Sequence, residues 1–435
     1  MSIRCLHSLA SVWRAVSDYI VMKRFVSPLL GLSIFSVASG YLITLIPLRI
    51  NEANASQVMA GYLGGIYYFG LLAGSFRAEK TVLRIGHIRS FAAFMALLCA
   101  STLSLALLDS MYAWLILRFL NGIAIAGIFV VVESWLLCES DQSNRGRILA
   151  FYMVSLYGSN AIGQLLVGTY PADSLLPFVL IGAIFSLSIL PPAMTKLPTP
   201  ELADSSSLSL RELARLTPSG LIGCVSGGMI LGALYSLLPI LLLKQSGDQK
   251  TVGQLMAIVM VGGMLLQYPV GLFSDIVDRR KVLVVISLAG ASCCFAFATL
   301  SSSPWLDIVL LFLIGGTTFT VYPIAISHGC DHLRPEKIVA GTQGLLLGYS
   351  AGACIGPILG GYFMHQMSSG LMIYFTVMMG ATGLFFLARI PFRPIIYSSD
   401  EQPFVPVPRT SPVIAQIDPR SEVDLEDTDD NATSV

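Results

Sequence analysis

The chain is 435 residues long, 54% hydrophobic and only 12% charged, with a formal net charge of zero. That composition excludes an ordinary soluble domain and reads as a polytopic membrane protein. The balanced charge offers no electrostatic footprint for nucleic acid or for an acidic partner.

Residues 1–26 carry Arg4, Arg14, Lys23 and Arg24 without a clean apolar core. They read as a cytoplasmic lead-in, not a cleaved leader. Twelve apolar runs follow, each long enough to cross a bilayer as a helix. The first six, at 27–48, 57–76, 88–108, 112–138, 147–170 and 174–195, make an N-terminal half spanning 27–195. A polar, Ser-rich central loop, 196–217, separates them from the second six. Those lie at 218–243, 251–274, 281–301, 304–329, 338–364 and 370–389, a C-terminal half spanning 218–389. The remainder, 390–435, is Pro-rich and ends in Glu422, Asp424, Glu426, Asp427, Asp429 and Asp430. It has the composition of a disordered tail.

The even number of spans puts both termini on one side. Loops assigned to the outside hold Arg49, Lys244 and Lys250, Arg118 lies deep within a span, and the other 22 of the 26 Lys and Arg fall in the termini, in the other loops or at the span ends beside them. The asymmetry places both termini in the cytoplasm. The chain also repeats. An offset of 193 lays Phe119-Leu-Asn-Gly122 on Phe312-Leu-Ile-Gly315 and Ile162-Gly163 on Ile355-Gly356. The expected architecture is therefore all-α, twelve transmembrane helices in two pseudo-symmetric halves.

Several intramembrane polar groups stand out. Arg118 precedes Asn121 and Gly122 inside the fourth span. A cation this deep costs roughly 2.5–3.5 kcal/mol on insertion scales, so it faces the interior, as a binding group, a modulator of proton uptake or a structural hub. Glu133 lies fifteen residues further on, roughly 22 Å along a helix, too far to pair with Arg118. It sits near the cytoplasmic end, within reach of Arg77 or Arg84, and its alternative role is a proton carrier. Asn160 and Gln164 share a helix face and either line a pathway or bond neighbouring helices. Gln267, Tyr268, Tyr322, Gln343 and Tyr349 are plausible pathway lining in the second half. His328, Cys330, Asp331 and His332 make a metal-like cluster at a span end, without the spacing of a site. The eight cysteines show no disulfide pattern, and no catalytic set, cofactor motif or nucleotide-binding loop accompanies the spans.

Between the eighth and ninth spans lies Gly271-Leu-Phe-Ser-Asp275-Ile-Val-Asp278-Arg279-Arg280-Lys281. Its G-x-x-x-D-x-x-x-R-R/K spacing resembles the cytoplasmic loop signature of the major facilitator superfamily, with Asp278 where the pattern has a second Gly. The first-half loop, Gly74-Ser-Phe-Arg77-Ala78-Glu79, matches only loosely, because Ala78 stands in place of Asp. Arg118-x-x-Asn121-Gly122 resembles the R-x-x-Q-G signature of that span. Gly352-Ala-Cys-Ile-Gly356-Pro357-Ile-Leu-Gly360-Gly361 resembles the superfamily's helix-bending motif, displaced from the fifth span to its repeat partner. Within the superfamily, Gly122 through Trp135, Asn144 through Arg147 and Gly271 through Lys281 resemble the YcaD-like bacterial transporters.

That resemblance implies a secondary active carrier of the bacterial inner membrane, working by alternating access. It is expected to act as a monomer on a small-molecule substrate, with protons as candidate coupling ions. It implies no enzymatic activity and no cofactor. Glu133 would clasp the loop signature in one state. The alternative is a non-transporting sensor that kept the carrier fold. The sparse interior charge points to a neutral, amphiphilic or singly anionic solute.

Overall fold

The computed structural model describes residues 3–138, 140, 145–195, 210–300, 303–331, 333, 338–390 and 409–413. The described chain is helical throughout: α1 (Ile3–Glu52), α2 (Gln57–Ile85), α3 (His87–Leu107) and α4 (Met111–Cys138), then α5 (Arg145–Met153) and α6 (Ser159–Gln164). Next come α7 (Leu176–Leu187), α8 (Leu190–Ala193), α9 (Leu210–Leu216), α10 (Pro218–Ser246) and α11 (Gln249–Ile276). The last four are α12 (Arg279–Leu300), α13 (Pro304–Cys330), α14 (Ile338–Gln366) and α15 (Gly370–Arg389).

Among the described residues, eleven helical segments are long and apolar enough to cross a membrane. The twelfth crossing, expected as one helix over 147–170, is interrupted. α5 leads through one π-helical turn, Val154–Gly158, into the short α6, and residues 165–170 leave the helix. Gly158, Ser159, Asn160 and Gly163 are poor helix formers, and Gly168 adopts a positive φ of 80°. The sixth crossing is likewise stepped, because Pro191 and Pro192 enter at the start of α8. α1 begins earlier than the expected span and runs on without a break from Ile3.

Two halves of like design emerge from the glycine contacts. A Cβ on Gly70 would meet the carbonyl oxygen of Phe119 at 2.2 Å, and one on Gly122 that of Tyr67 at 2.1 Å. These close approaches lock α2 to α4. In the second half Gly262 faces the Phe312 oxygen at 2.1 Å and Gly315 the Val259 oxygen at 2.0 Å, locking α11 to α13. The same holds for α1 against α6, through Gly40 on Asn160 and Gly163 on Val37, and for α10 against α14, through Gly232 on Ala353 and Gly356 on Met229. Each partner in the second half lies 192 or 193 positions beyond its counterpart. Small residues let helix backbones touch where the bilayer supplies no hydrophobic drive between helices.

The bundle has two faces. The first carries the turns after α1, α3 and α10; the second carries those after α2, α11 and α13. At the first face the halves meet. Cβ atoms on Gly61 and Gly65 of α2 would strike the Pro357 and Cys354 carbonyls of α14 at 2.4 and 2.7 Å. Gly253 of α11 abuts Gln164 of α6 at 2.4 Å. Gln249 donates to Glu52 at 3.2 Å and accepts from the Ala172 amide at 3.1 Å, and His365 lies 3.3 Å from Gln57. At the second face, residues 409–413 stand between the halves. The tail was expected to be disordered; most of it lies outside the described residues, but these five are placed. Thr410, Ser411 and Val413 are buried.

Candidate functional site

Glu133 has no exposed surface. A buried carboxylate must be met by donors, and here they are hydroxyls. Tyr152 of α5 donates to Oε1 at 2.6 Å, Thr410 donates to the same oxygen, and Ser411 donates to Oε2. Tyr152 also reaches Thr410 at 3.0 Å. The carboxylate thus ties α4, α5 and the returning tail together. Arg77 and Arg84 are exposed, and among the described residues no ion pair joins Glu133 to either.

Next to this knot stands a box of aromatic rings from both halves. Tyr157, on the π turn, packs on Phe319 of α13 with ring centroids 5.7 Å apart. Phe319 also packs on Tyr235 of α10 at 5.9 Å, and Tyr322 lies 4.8 Å from Tyr349. Tyr67 and Tyr68 of α2 extend the cluster toward the first face. The guanidinium of Arg409 enters the box. It lies 4.8 Å from the Phe319 centroid, 5.8 Å from Tyr157 and 5.9 Å from Tyr349, and donates to Tyr157 Oη at 2.8 Å. Deeper in, Arg118 stacks on Tyr67 at 4.4 Å, and its Nε has no partner among the described residues. Arg118, Tyr67, Tyr68, Tyr235 and Ser236 line a cavity of about 10 Å³, room for roughly one water molecule.

The other polar candidates divide. Gln164 is spent on packing: it donates to the Gly40 carbonyl at 2.6 Å and accepts from Thr44 at 2.6 Å, stapling α6 to α1. Asn121 donates to Ser101 at 2.7 Å and so joins α4 to α3. Asn160 returns to its own chain at Leu156. Gln343 reaches the tail at the Pro412 carbonyl, 3.3 Å away. Tyr322 is fully buried beside Tyr349, and its hydroxyl, like the Gln267 amide nitrogen, has no partner among the described residues. Tyr268 has 61% of its surface exposed.

The loop signature closes on its own half. Arg279 pairs with Asp331 at 2.5 Å and with Asp275 at 3.2 Å, bolting the start of α12 to the ends of α13 and α11. Asp278 caps α12, accepting from the Arg280 amide at 2.9 Å and from its guanidinium at 2.8 Å. Burial works to raise the Asp278 pKa, but the Arg280 hydrogen bonds and charge prevail and hold it below its usual 3.8. Gly271 is buried, and Ser274 donates back to its carbonyl at 2.6 Å. Gly74 packs on Ile123 of α4, while Arg77 is exposed. On α14, Gly352 and Gly356 abut α10, Gly360 packs on Leu237 and Ala233, and the Pro357 carbonyl faces α2 across the seam. The bending motif therefore packs within its half on one side and meets the other half on the next.

Among the described residues no three of His, Cys, Asp and Glu come together as a metal site would need. His328 packs on Phe386, Cys330 lies 3.3 Å from Thr342, and Asp331 binds Arg279; His332 lies outside the described residues. The sequence reading missed Tyr67, Tyr68, Tyr235, Phe319, Tyr152 and Arg409. Tyrosines in mid-span rather than at a membrane interface were the available signal. Nothing in the tail marked Arg409-Thr410-Ser411.

A family model described as the Major Facilitator Superfamily matches residues 29–346. A protein of Salmonella heidelberg described as the uncharacterized MFS-type transporter YcaD is 31% identical over 349 residues, covering 79% of this chain and 90% of its own length. The YcaD of Shigella flexneri is equally similar, at 31% over 79% of this chain and 89% of its length. Among solved structures, the nucleoside transporter NupG superimposes with a TM-score of 0.68 at 14% identity, covering 86% of this chain and all of its own. A bacterial homolog of the human lysosomal transporter Spinster, inward-facing and unoccupied, gives 0.66 at 15% identity over 86% of this chain and 96% of its own. The identities to both structures speak to the fold.

Proposed function

The chain belongs to the major facilitator superfamily, and from that premise we propose that it is a secondary active carrier of a small solute in a bacterial inner membrane. Both termini lie in the cytoplasm by the charge asymmetry of the loops. The second face is then cytoplasmic, and the arrangement described is closed outward.

One observation carries the reading. The two glycine-locked halves touch at the first face and are parted at the second by five residues of the tail. Two rigid bodies meeting at one end are what alternation by rocking requires. Gly352, Gly356, Pro357 and Gly360 give α14 a smooth face at that seam. The 271–281 loop holds the second half rigid through Arg279 and Asp275 and is released toward Glu133 when the second face closes. The aromatic chamber between the halves is the solute site. Glu133 and Arg118 are the groups placed to couple solute movement to protons: one is a buried carboxylate among hydroxyls, the other a buried cation on an aromatic face.

The test is flux. Purified protein in liposomes is loaded with a bacterial metabolite extract on one side only, and solutes appearing on the other are identified by mass spectrometry. A carrier exchanges at least one solute class, and an imposed pH gradient changes its rate. A sensor binds solute and moves none. Uptake that ignores the gradient, with wild type, Arg118→Ala and Glu133→Gln alike, removes the coupling part and leaves the carrier.

A further inference from the structure

The sequence offers a neutral, amphiphilic or singly anionic solute, because interior charge is sparse. The chamber itself argues otherwise. Its walls at the level of Tyr157, Phe319 and Tyr349 are ring faces, which carry negative quadrupole potential and attract cations. Among the described residues the buried carboxylate beside the box is Glu133, bonded to Thr410, the neighbour of Arg409. What occupies the box is a guanidinium: Arg409 lies within 5.9 Å of all three ring centroids.

The way Arg409 is held is that of a ligand more than of a structural clamp. Its contacts come from both halves, Tyr157 from one, Phe319 and Tyr349 from the other. These are the groups that must move relative to each other if the halves rock. Its Nη1 has no partner among the described residues. The flanking Thr410 and Ser411 reach Glu133 with hydroxyls, and Pro412 offers its carbonyl to Gln343. The segment therefore engages the box, the carboxylate and α14 at once. Eighteen residues lie between Ile390 and Arg409, a length that can span up to about 60 Å. Arg409 already stands against all three rings, so a second cation on the same ring faces must displace it.

We propose that the box of Tyr157, Phe319 and Tyr349 is a binding site for a monovalent organic cation, guanidinium or amine on an apolar body, and that Arg409 is its built-in competitor. The inference rests on the chamber being the solute site. Binding inside the membrane is then limited by release of the segment. The full chain has lower apparent affinity than a chain whose segment cannot hold, by the fraction of time the box is vacant.

The test uses two capped amino acids of nearly equal shape, N-acetylarginine methylamide and N-acetylcitrulline methylamide. They differ in one charge. Their binding to the full chain in lipid nanodiscs is measured by titration calorimetry, for the wild type and for Arg409→Ala/Thr410→Ala/Ser411→Ala, with Tyr157→Ala/Phe319→Ala as a control for the site. The proposal predicts that the triple variant binds the arginine probe at least about tenfold more tightly than wild type, about 1.4 kcal/mol. It predicts that the citrulline probe binds the triple variant at least about tenfold more weakly than the arginine probe, the ratio a desolvated cation–π contact supplies, and that the box variant loses the preference. Equal affinity of wild type and triple variant for the arginine probe overturns the competitor. Equal affinity for the two probes, or no binding of either, overturns the cation site. Because the readout is binding and not flux, either failure leaves the carrier reading standing, and a sensor would pass this test while failing the flux test.

Discussion

Glycines of one kind serve two different purposes here, and a single methyl group separates them. Gly61 of α2 faces the Pro357 carbonyl of the other half at 2.4 Å, while Gly122 of α4 faces the Tyr67 carbonyl of its own half at 2.1 Å. In both cases the obstacle is backbone, with no flexible side chain to yield. Overpacking of this kind costs about 1–3 kcal/mol. At Gly122 the cost falls on every conformation, because α2 and α4 stay locked as the halves rock. At Gly61 it falls only on the form closed at the first face. The better helix propensity of Ala applies in both forms and cancels between them. Gly61→Ala should therefore raise the ratio of open to closed first face by about 5- to 150-fold. The reporter is Leu63→Cys, a position 1% exposed and on the wall of the seam cavity. In a background without native cysteines, its reaction with a membrane-impermeant maleimide proceeds through the open form. While the closed form dominates, the rate rises by the same factor. Gly122→Ala should lower the melting temperature and leave that rate within about twofold. If Gly61→Ala lowers the melting temperature as Gly122→Ala does and leaves the cysteine as slow as before, the halves do not part along this seam.

Gln164→Leu should cost about 1–3 kcal/mol of stability, since Thr44 and the Gly40 carbonyl lose their partner; a melt reads it, and the Leu63→Cys rate should not change. Glu133→Gln keeps the shape but removes the charge the hydroxyls of Thr410 and Ser411 meet. Reaction of a Val413→Cys label, at a position 2% exposed, with a maleimide should become at least about threefold faster, because a neutral acceptor is worth about half a charged one; an unchanged rate contradicts the knot. Arg279→Gln removes the cation that pairs with both Asp331 and Asp275, and a loss of about 1–3 kcal/mol is expected from melts for breaking this partly buried triad. Asp278 is held below the ordinary carboxylate range by Arg280. The stability it contributes is present above the unfolded pKa and disappears as pH falls through the lower folded value. Asp278→Asn should thus destabilise by a constant amount between about pH 5 and 8, with the difference from wild type shrinking only in stronger acid.

How much of this was legible depended on whether a residue's signal was periodic. Twelve apolar runs and a 193-residue offset announce a doubled bundle, because spanning a bilayer demands length and repeated packing demands repeated glycine. The same offset located Gly122 with Gly315 and Gly163 with Gly356, whose contacts prove equivalent. The π turn at 154–158 was hidden, since hydropathy does not distinguish one helical pitch from another. Gln164 and Asn121 were singled out because they are polar, yet polarity alone does not tell a staple from a lining group; the neighbour decides, and for Gln164 the neighbours are Thr44 and Gly40 in another span. Arg118 and Glu133 were legible by their cost in hydrocarbon. Of the rings around Arg409, Tyr349 was singled out as a polar group, but Tyr157 and Phe319 were not, because aromatic residues are common in any apolar span, and their convergence depends on how the π turn, α13 and α14 cross. The tail was read by composition as solvated. Composition averages over forty-odd residues and is silent about five that fit a buried carboxylate.

The account stands on two halves that rock. Spin labels at Asn54 and Met367, exposed on opposite halves of the first face, and at Arg84 and Ile276, exposed on opposite halves of the second, give two distance distributions by double electron–electron resonance in nanodiscs. Gly61→Ala should move the populations in opposite directions, lengthening the first pair while shortening the second. Both pairs unmoved, or both lengthening together, would contradict a carrier that exposes one site to two sides in turn.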